Sequence, residues 1–149
     1  MGYYLRLSYL YLVLLAIVTV GRWYLGNVAH VPYADATDKI SIVIMTIFAS
    51  IFYGAFCRRW QRFGVLQALT LAALLGFMSQ VVVLLSTVSS YALGIDSYFT
   101  VPRALNAEAP LSLGAALVVR ARGMLGNTVG SAIAGMIGWL LGGLLPEDR

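Results

Sequence analysis

Four stretches of the chain are apolar for long enough to cross a bilayer, and the polar positions between them set out the plan of the molecule. A spanning helix takes about 20 mostly apolar residues. The candidates are residues 7–25 (LSYLYLVLLAIVTVGRWYL), 40–57 (ISIVIMTIFASIFYGAFC), 65–93 and 124–145. Tyr3 and Tyr4 flank the first stretch at one end, and Trp23 and Tyr24 at the other. The roughly 18 positions between these pairs would cover ~27 Å as a helix, close to one hydrocarbon thickness. Aromatic pairs at that spacing mark the two interfaces, and Arg22 would extend its charge into the headgroups there. The second stretch follows DATDK, where Thr37 and Asp38 are the candidate helix caps. The third is longer than a bilayer requires, which predicts tilt or projection beyond the membrane.

The connections differ in character. Residues 26–39 are polar, residues 58–64 form a basic turn, and residues 94–123 make the longest link. The first half of that link, GIDSYFTVPRALNAEAP, has the composition of a soluble loop. Its second half, LSLGAALVVRAR, is apolar but too short to span, which predicts an interfacial or re-entrant helix leading into the fourth span. The expected fold is an all-α integral membrane protein. Residues 1–149 form a single transmembrane domain of four helices, with one short interfacial or re-entrant helix before the last span. The pair Ala34 and Ala36 resembles a leader-peptidase site, but the apolar run ends near Gly21, too far upstream, so the first stretch reads as a span.

Composition agrees with the pattern. Sixty per cent of residues are apolar, 11% are charged and the mean hydropathy is +0.85; a soluble domain carries about a quarter charged residues. The expected partners are the lipid bilayer and other transmembrane helices, belonging to this chain or to a larger complex. The net charge of +4 comes from scattered basic residues, without the clustered patch that nucleic-acid binding needs. Basic residues tie across the membrane. Arg6, Arg58, Arg59, Arg62 and Arg149 fall on one side; Arg22, Lys39, Arg103, Arg120 and Arg122 fall on the other. The three arginines of the 58–64 turn are the denser signal, so both termini are expected in the cytoplasm, in a bacterial inner membrane.

The last span holds the least expected pattern. Gly126, Gly130, Ala134, Gly138 and Gly142 recur every four residues, and Gly123, Asn127, Ser131, Gly135 and Gly143 form a second row broken only by Trp139. Each interior glycine costs a helix about 1 kcal/mol relative to alanine. In lipid, small residues repay that cost by letting backbones approach closely. The stripe therefore predicts a tight contact with a neighbour in the same bundle or with another subunit.

Candidate chemistry is sparse. Gln80, Asn127 and Ser131 are the polar intramembrane positions. Gln80 needs hydrogen-bond partners in hydrocarbon, from Asn127 or from a permeation or ligand site. No span carries an acidic residue at its middle, which weighs against proton-coupled antiport. His30 is the single histidine, so haem held by two histidines of one chain is excluded. His30, Asp35 and Asp38 form a candidate outer-face site for a metal or for acid–base work, against the plainer reading of a solvated loop. The single cysteine, Cys57, makes neither a disulfide nor a cysteine-rich metal site. Its place beside Arg58 and Arg59 suggests an activated or acylated thiol, against an ordinary membrane-edge cysteine. No metal centre is predicted, and the sequence specifies no cofactor.

Together these features lead first to a noncatalytic protein acting through helix packing, as an accessory or assembly subunit of a larger membrane complex. The alternatives are a small homo-oligomeric channel or carrier lined by Gln80, Asn127 and Ser131, and a membrane enzyme with a site in the 26–39 and 94–110 loops.

Overall fold

The computed structural model describes residues 2–37 and 41–144, with the backbone alone at Thr37. Six α-helices follow in order: α1 (Gly2–Leu7), α2 (Tyr9–Asn27), α3 (Tyr33–Thr37), α4 (Ile42–Gln61), α5 (Val65–Leu93) and α6 (Leu113–Gly142). A short 3-10 turn, Pro102–Leu105, lies before α6. The described residues contain no strand, and α2, α4, α5 and α6 are each long and apolar enough to cross a membrane. The chain is an all-α membrane protein.

Local chemistry explains where the helices begin and end. The cap of α4 is Ser41, whose hydroxyl accepts from the Ile44 N–H at 3.4 Å. It displaces the expected caps because it directly precedes the apolar run; Asp38 lies outside the described residues. The helix continues through Arg58 and Arg59, so most of the expected basic turn is helical. The chain reverses at Arg62, with φ of 53°, and Gln67 reaches back to accept from the Gly64 N–H at 2.9 Å at the start of α5. At its far end α5 stops at Gly94, with φ of 62°, in the left-handed region where glycine is favoured.

The region before the fourth span departs most from expectation. The 3-10 turn Pro102–Leu105 is the short helix ahead of that span, but LSLGAALVVRAR is not a separate interfacial helix. From Leu113 it belongs to α6, a single rod of 30 residues capped by Ser112. Gly123 stands at the junction, and one glycine costs too little to break a helix. The expected end of the fourth span, residue 145, lies outside the described residues, within which the helix ends at Gly142.

Glycine sets the closeness of the core. A Cβ on Gly138 would meet the Ile51 carbonyl, and one on Gly142 would meet the Ala55 carbonyl at 2.5 Å. A Cβ on Gly54 would meet the Gly135 carbonyl, one on Gly135 the Ala72 side chain, and one on Gly76 the Ser131 hydroxyl at 2.6 Å. Thus α6 lies against both α4 and α5, while α2 joins by larger side chains. Tyr11 inserts from α2, its hydroxyl bonding the Thr46 hydroxyl at 2.9 Å and the Leu75 carbonyl at 3.2 Å.

These contacts also fix the register. Because Gly138 meets Ile51 and Gly142 meets Ala55, α4 and α6 run in the same direction. The N-terminus of α4 is then level with about Val129 at 1.5 Å per residue in both helices. The first half of α6 rises past α4, accompanied by the end of α5. The 94–112 connection folds into the space above α4, burying Ser97, Tyr98, Phe99 and Leu105. A stretch of soluble composition thus turns four residues inward while most of the rest stays exposed.

The opposite end is closed by a clasp. The Arg58 guanidinium lies 3.9 Å from the Trp139 ring centre and donates to the Trp139 carbonyl at 3.2 Å. The Trp139 indole N–H donates to the Phe63 carbonyl at 2.8 Å. Trp139→Phe should keep the ring, lose this bond and cost about 1 kcal/mol. Reversible unfolding in mixed micelles measures it; an unchanged midpoint would mean the indole N–H does not tie down the 62–64 turn.

Candidate functional site: an arginine-lined cavity

Above the N-terminus of α4 the helices and the folded-back loop leave a cavity of about 550 Å³. Its floor includes Ser41, Ile42 and Val43, and α5 contributes Gln80 and Val83. Arg22 enters from α2; Val119, Arg120, Arg122, Gly123 and Asn127 come from α6; Tyr98, Phe99 and residues 104–106 form the roof. Asn106 and Arg122 are exposed at the rim, whereas Gln80 and Leu105 are buried at depth. Below Gln80 and Asn127 the wall ends where Gly76 meets Ser131.

Each arginine is held differently. Arg22 is 7% exposed, not extended to the headgroups as expected. Its guanidinium sits 5.7, 5.5 and 5.8 Å from the ring centres of Tyr33, Tyr98 and Phe99. The folded-back loop supplies two of these rings, and a cation gains more over an aromatic face when water is excluded. Arg120 donates to the Thr87 hydroxyl at 3.1 Å, the Ala104 carbonyl at 3.2 Å and the Phe99 carbonyl at 2.8 Å. Three neutral oxygens fix its position, and no ion pair to it forms among the described residues. Two of its five N–H groups stay outside these bonds. Arg122 makes no hydrogen bond among the described residues. No carboxylate lies among the described residues that line the cavity.

Gln80 and Asn127 share this cavity but do not bond each other, which corrects one expectation. The Asn127 amide donates to its own helix, to the Gly123 carbonyl at 2.9 Å. Gln80 is 5% exposed, and its sole hydrogen bond among the described residues is a 3.5 Å contact from Nε2 to the neighbouring Ser79 hydroxyl. That length is at the edge of what counts as a hydrogen bond. Its carboxamide is thus buried, nearly unpartnered and at the cavity wall. If Gln80 were structural, replacing it by leucine should weaken the bundle. The expected result for Gln80→Leu is an equal or higher melting temperature in detergent, since a poorly satisfied buried amide costs about 1–3 kcal/mol. A clear drop would mean that Gln80 stabilises the fold.

Tyr98 closes the roof by donating its hydroxyl to the Val31 carbonyl. Burial pushes its pKa above the usual tyrosine value, Arg22 opposes this and Asp35 reinforces it. The neutral phenol is therefore the folded form. Its contribution is complete below about pH 10 and is lost as pH climbs through the raised value. Protection factors at residues 97–105, taken against the base-catalysed intrinsic exchange rate, should fall above about pH 10, and Tyr98→Phe should flatten that fall. An identical slope in the variant would assign the effect to another group.

The other sequence candidates lie elsewhere. His30 and Asp35 are exposed, Asp38 is outside the described residues, and no group of metal-ligating side chains forms among the described residues. Ser131 is buried against Gly76, Ala134 lies in the core, and Gly138 and Gly142 contact α4. Gly126 and Gly130 meet nothing within 4 Å. Cys57 is fully buried, so the thiol offers no surface for acylation. Arg22, Arg120, Arg122 and Tyr98 are the residues that sequence reasoning missed; the signal available was the pair of arginines inside the apolar run LVVRAR. No protein-family model matches this chain, and no curated protein or solved structure matches it either.

Proposed function

We propose that this is a noncatalytic membrane protein that takes a small polar ligand into the arginine-lined cavity, in the manner of a carrier or ligand-binding subunit. The observation that carries the reading is Gln80, a buried and nearly unpartnered amide at the wall of a roomy cavity of mixed polar and apolar lining. Ligand sites typically occupy about 300–1,000 Å³ and combine apolar walls with a few convergent polar groups. Ile42, Val83, Leu105 and Val119 supply such walls here. A through-pore is less well supported, because the lining stops at the contact of Gly76 with Ser131. With both termini in the cytoplasm of a bacterial inner membrane, the cavity would open to the opposite side.

A native mass spectrum of the gently extracted protein tests this reading. A retained small-molecule mass that is absent from the Gln80→Leu variant supports it. A bare chain mass in the unsubstituted protein from native membrane counts against it.

A second reading, as an accessory subunit in a larger assembly, is favoured by one observation: the open space beside Gly126 and Gly130. Gly130→Leu should leave the chain folded, since no described residue lies within 4 Å of its Cβ position. If another subunit lies there, the same substitution should release co-purifying chains in a cross-linking assay. Unchanged cross-linking would remove the support for that partner.

A further inference from the structure

The cavity has a definite sign as well as a shape, and resting on the reading that it is a ligand site, we infer that its ligand is an organic phosphate-type anion. Three guanidinium groups line the cavity and the described lining residues offer no carboxylate. Arg120 is already anchored by three neutral oxygens, so its charge is pre-oriented and does not have to be ordered by the ligand. Ser41, Ile42 and Val43 present the first turn of α4 to the same space. A helix N-terminus carries about half a positive charge and N–H groups without intrahelical partners, which suits an oxyanion.

The donor types narrow the chemistry further. Planar guanidinium forks match the paired oxygens of phosphate and carboxylate groups. Several cations acting together favour the higher charge and the larger number of acceptor oxygens of phosphate. Neutral donors stand deeper, at Gln80 and Asn127, where they suit a hydroxyl or carbonyl on the same molecule. The cavity is larger than a bare phosphate needs, and Ile42, Val83, Leu105 and Val119 give the remainder an apolar wall. A phosphate ester with an organic body fits both parts. That group can arrive on a phospholipid headgroup or on a soluble phosphate ester.

A cysteine at Gly123 reads the sign of the cavity directly. Gly123 lines it, and among the described residues a Cβ there would meet only the Asn127 amide, at 4.0 Å. The fully buried Cys57 makes the unsubstituted chain the blank. Gly123→Cys protein in zwitterionic detergent would be labelled with anionic and cationic thiosulfonate reagents of equal size. The anionic reagent is expected to react at least about tenfold faster, as a local positive potential raises counter-ion concentration. Arg122→Gln, which removes a charge without removing any hydrogen bond among the described residues, should reduce that preference several-fold. Equal rates, or faster cationic labelling, would overturn the anion and leave the cavity reading standing. Labelling by neither reagent would overturn the cavity reading itself.

The source of the phosphate is separated by protection. Slower labelling in vesicles of phosphatidylglycerol and phosphatidylcholine than in phosphatidylcholine alone assigns the site to a lipid headgroup. Slower labelling only on adding glycerol phosphate assigns it to a soluble ester. Absence of protection in both arms would overturn the phosphate assignment.

Discussion

Gly138→Ala should destabilise the bundle by about 3 kcal/mol, the upper part of the usual range for overpacking, although it adds one methyl group. The reason is the identity of what that methyl meets. At Gly138 it is the Ile51 carbonyl together with the Ile51 backbone carbon atoms, and backbone cannot turn aside as a flexible side chain can. Relief requires α4 and α6 to separate, and separation also loosens Gly54 against Gly135 and Gly142 against Ala55. In lipid those close contacts have no hydrophobic force to replace them. Gly126→Ala is the matched control. It belongs to the same row of small residues, yet nothing lies within 4 Å of its Cβ position. There alanine should gain about 0.5–1 kcal/mol through backbone propensity. Equilibrium unfolding in mixed micelles compares the two. Equal effects at both positions would mean that the tight contact with Ile51 is not what limits residue 138.

Arg120→Met should release the folded-back loop and cost about 3 kcal/mol, as removal of a buried hydrogen-bonded charge generally does. Arg120 is the joint between three pieces of chain: α5 at Thr87, the loop at Phe99 and the 3-10 turn at Ala104. Without it, two carbonyls and a hydroxyl lose a donor together. Thr87 retains its bond to the Val83 carbonyl at 2.9 Å, so the damage should concentrate in the loop. Hydrogen exchange should rise at residues 97–106 and stay low at residues 68–76. Arg120→Lys should recover little, because a single ammonium does not reproduce a planar fork serving three diverging oxygens. Native protection of the loop in Arg120→Met would show that the aromatic contacts around Arg22 suffice to hold it.

The contrast between these two regions explains what could be read in advance. Residues 65–93 were legible as a helix because they form a long, mostly apolar run without charge or proline, and the helix occupies that range. The stripe on α6 was legible as a packing surface, but not where the packing would stop. Gly138 and Gly142 meet α4 whereas Gly126 does not, because α4 begins near the level of Val129. The length of a different helix decides the environment of each glycine, and no local pattern records it. The cavity was harder still. Arg22 lies near the end of one apolar run and Arg120 near the start of another, where arginine ordinarily marks an interface. Their meeting depends on a loop whose composition suits solvent but whose Tyr98 and Phe99 turn inward.

The order in which the chain is made gives the Arg120 joint a second meaning. Thr87, Phe99 and Ala104 all precede Arg120 in the sequence, by 33, 21 and 16 residues. When α6 emerges from the ribosome, every oxygen that receives its guanidinium has already been synthesised. The closing of this end of the bundle therefore waits for α6, and a nascent chain halted before residue 113 would hold the cavity's α5 and loop walls but none of the α6 wall that completes it.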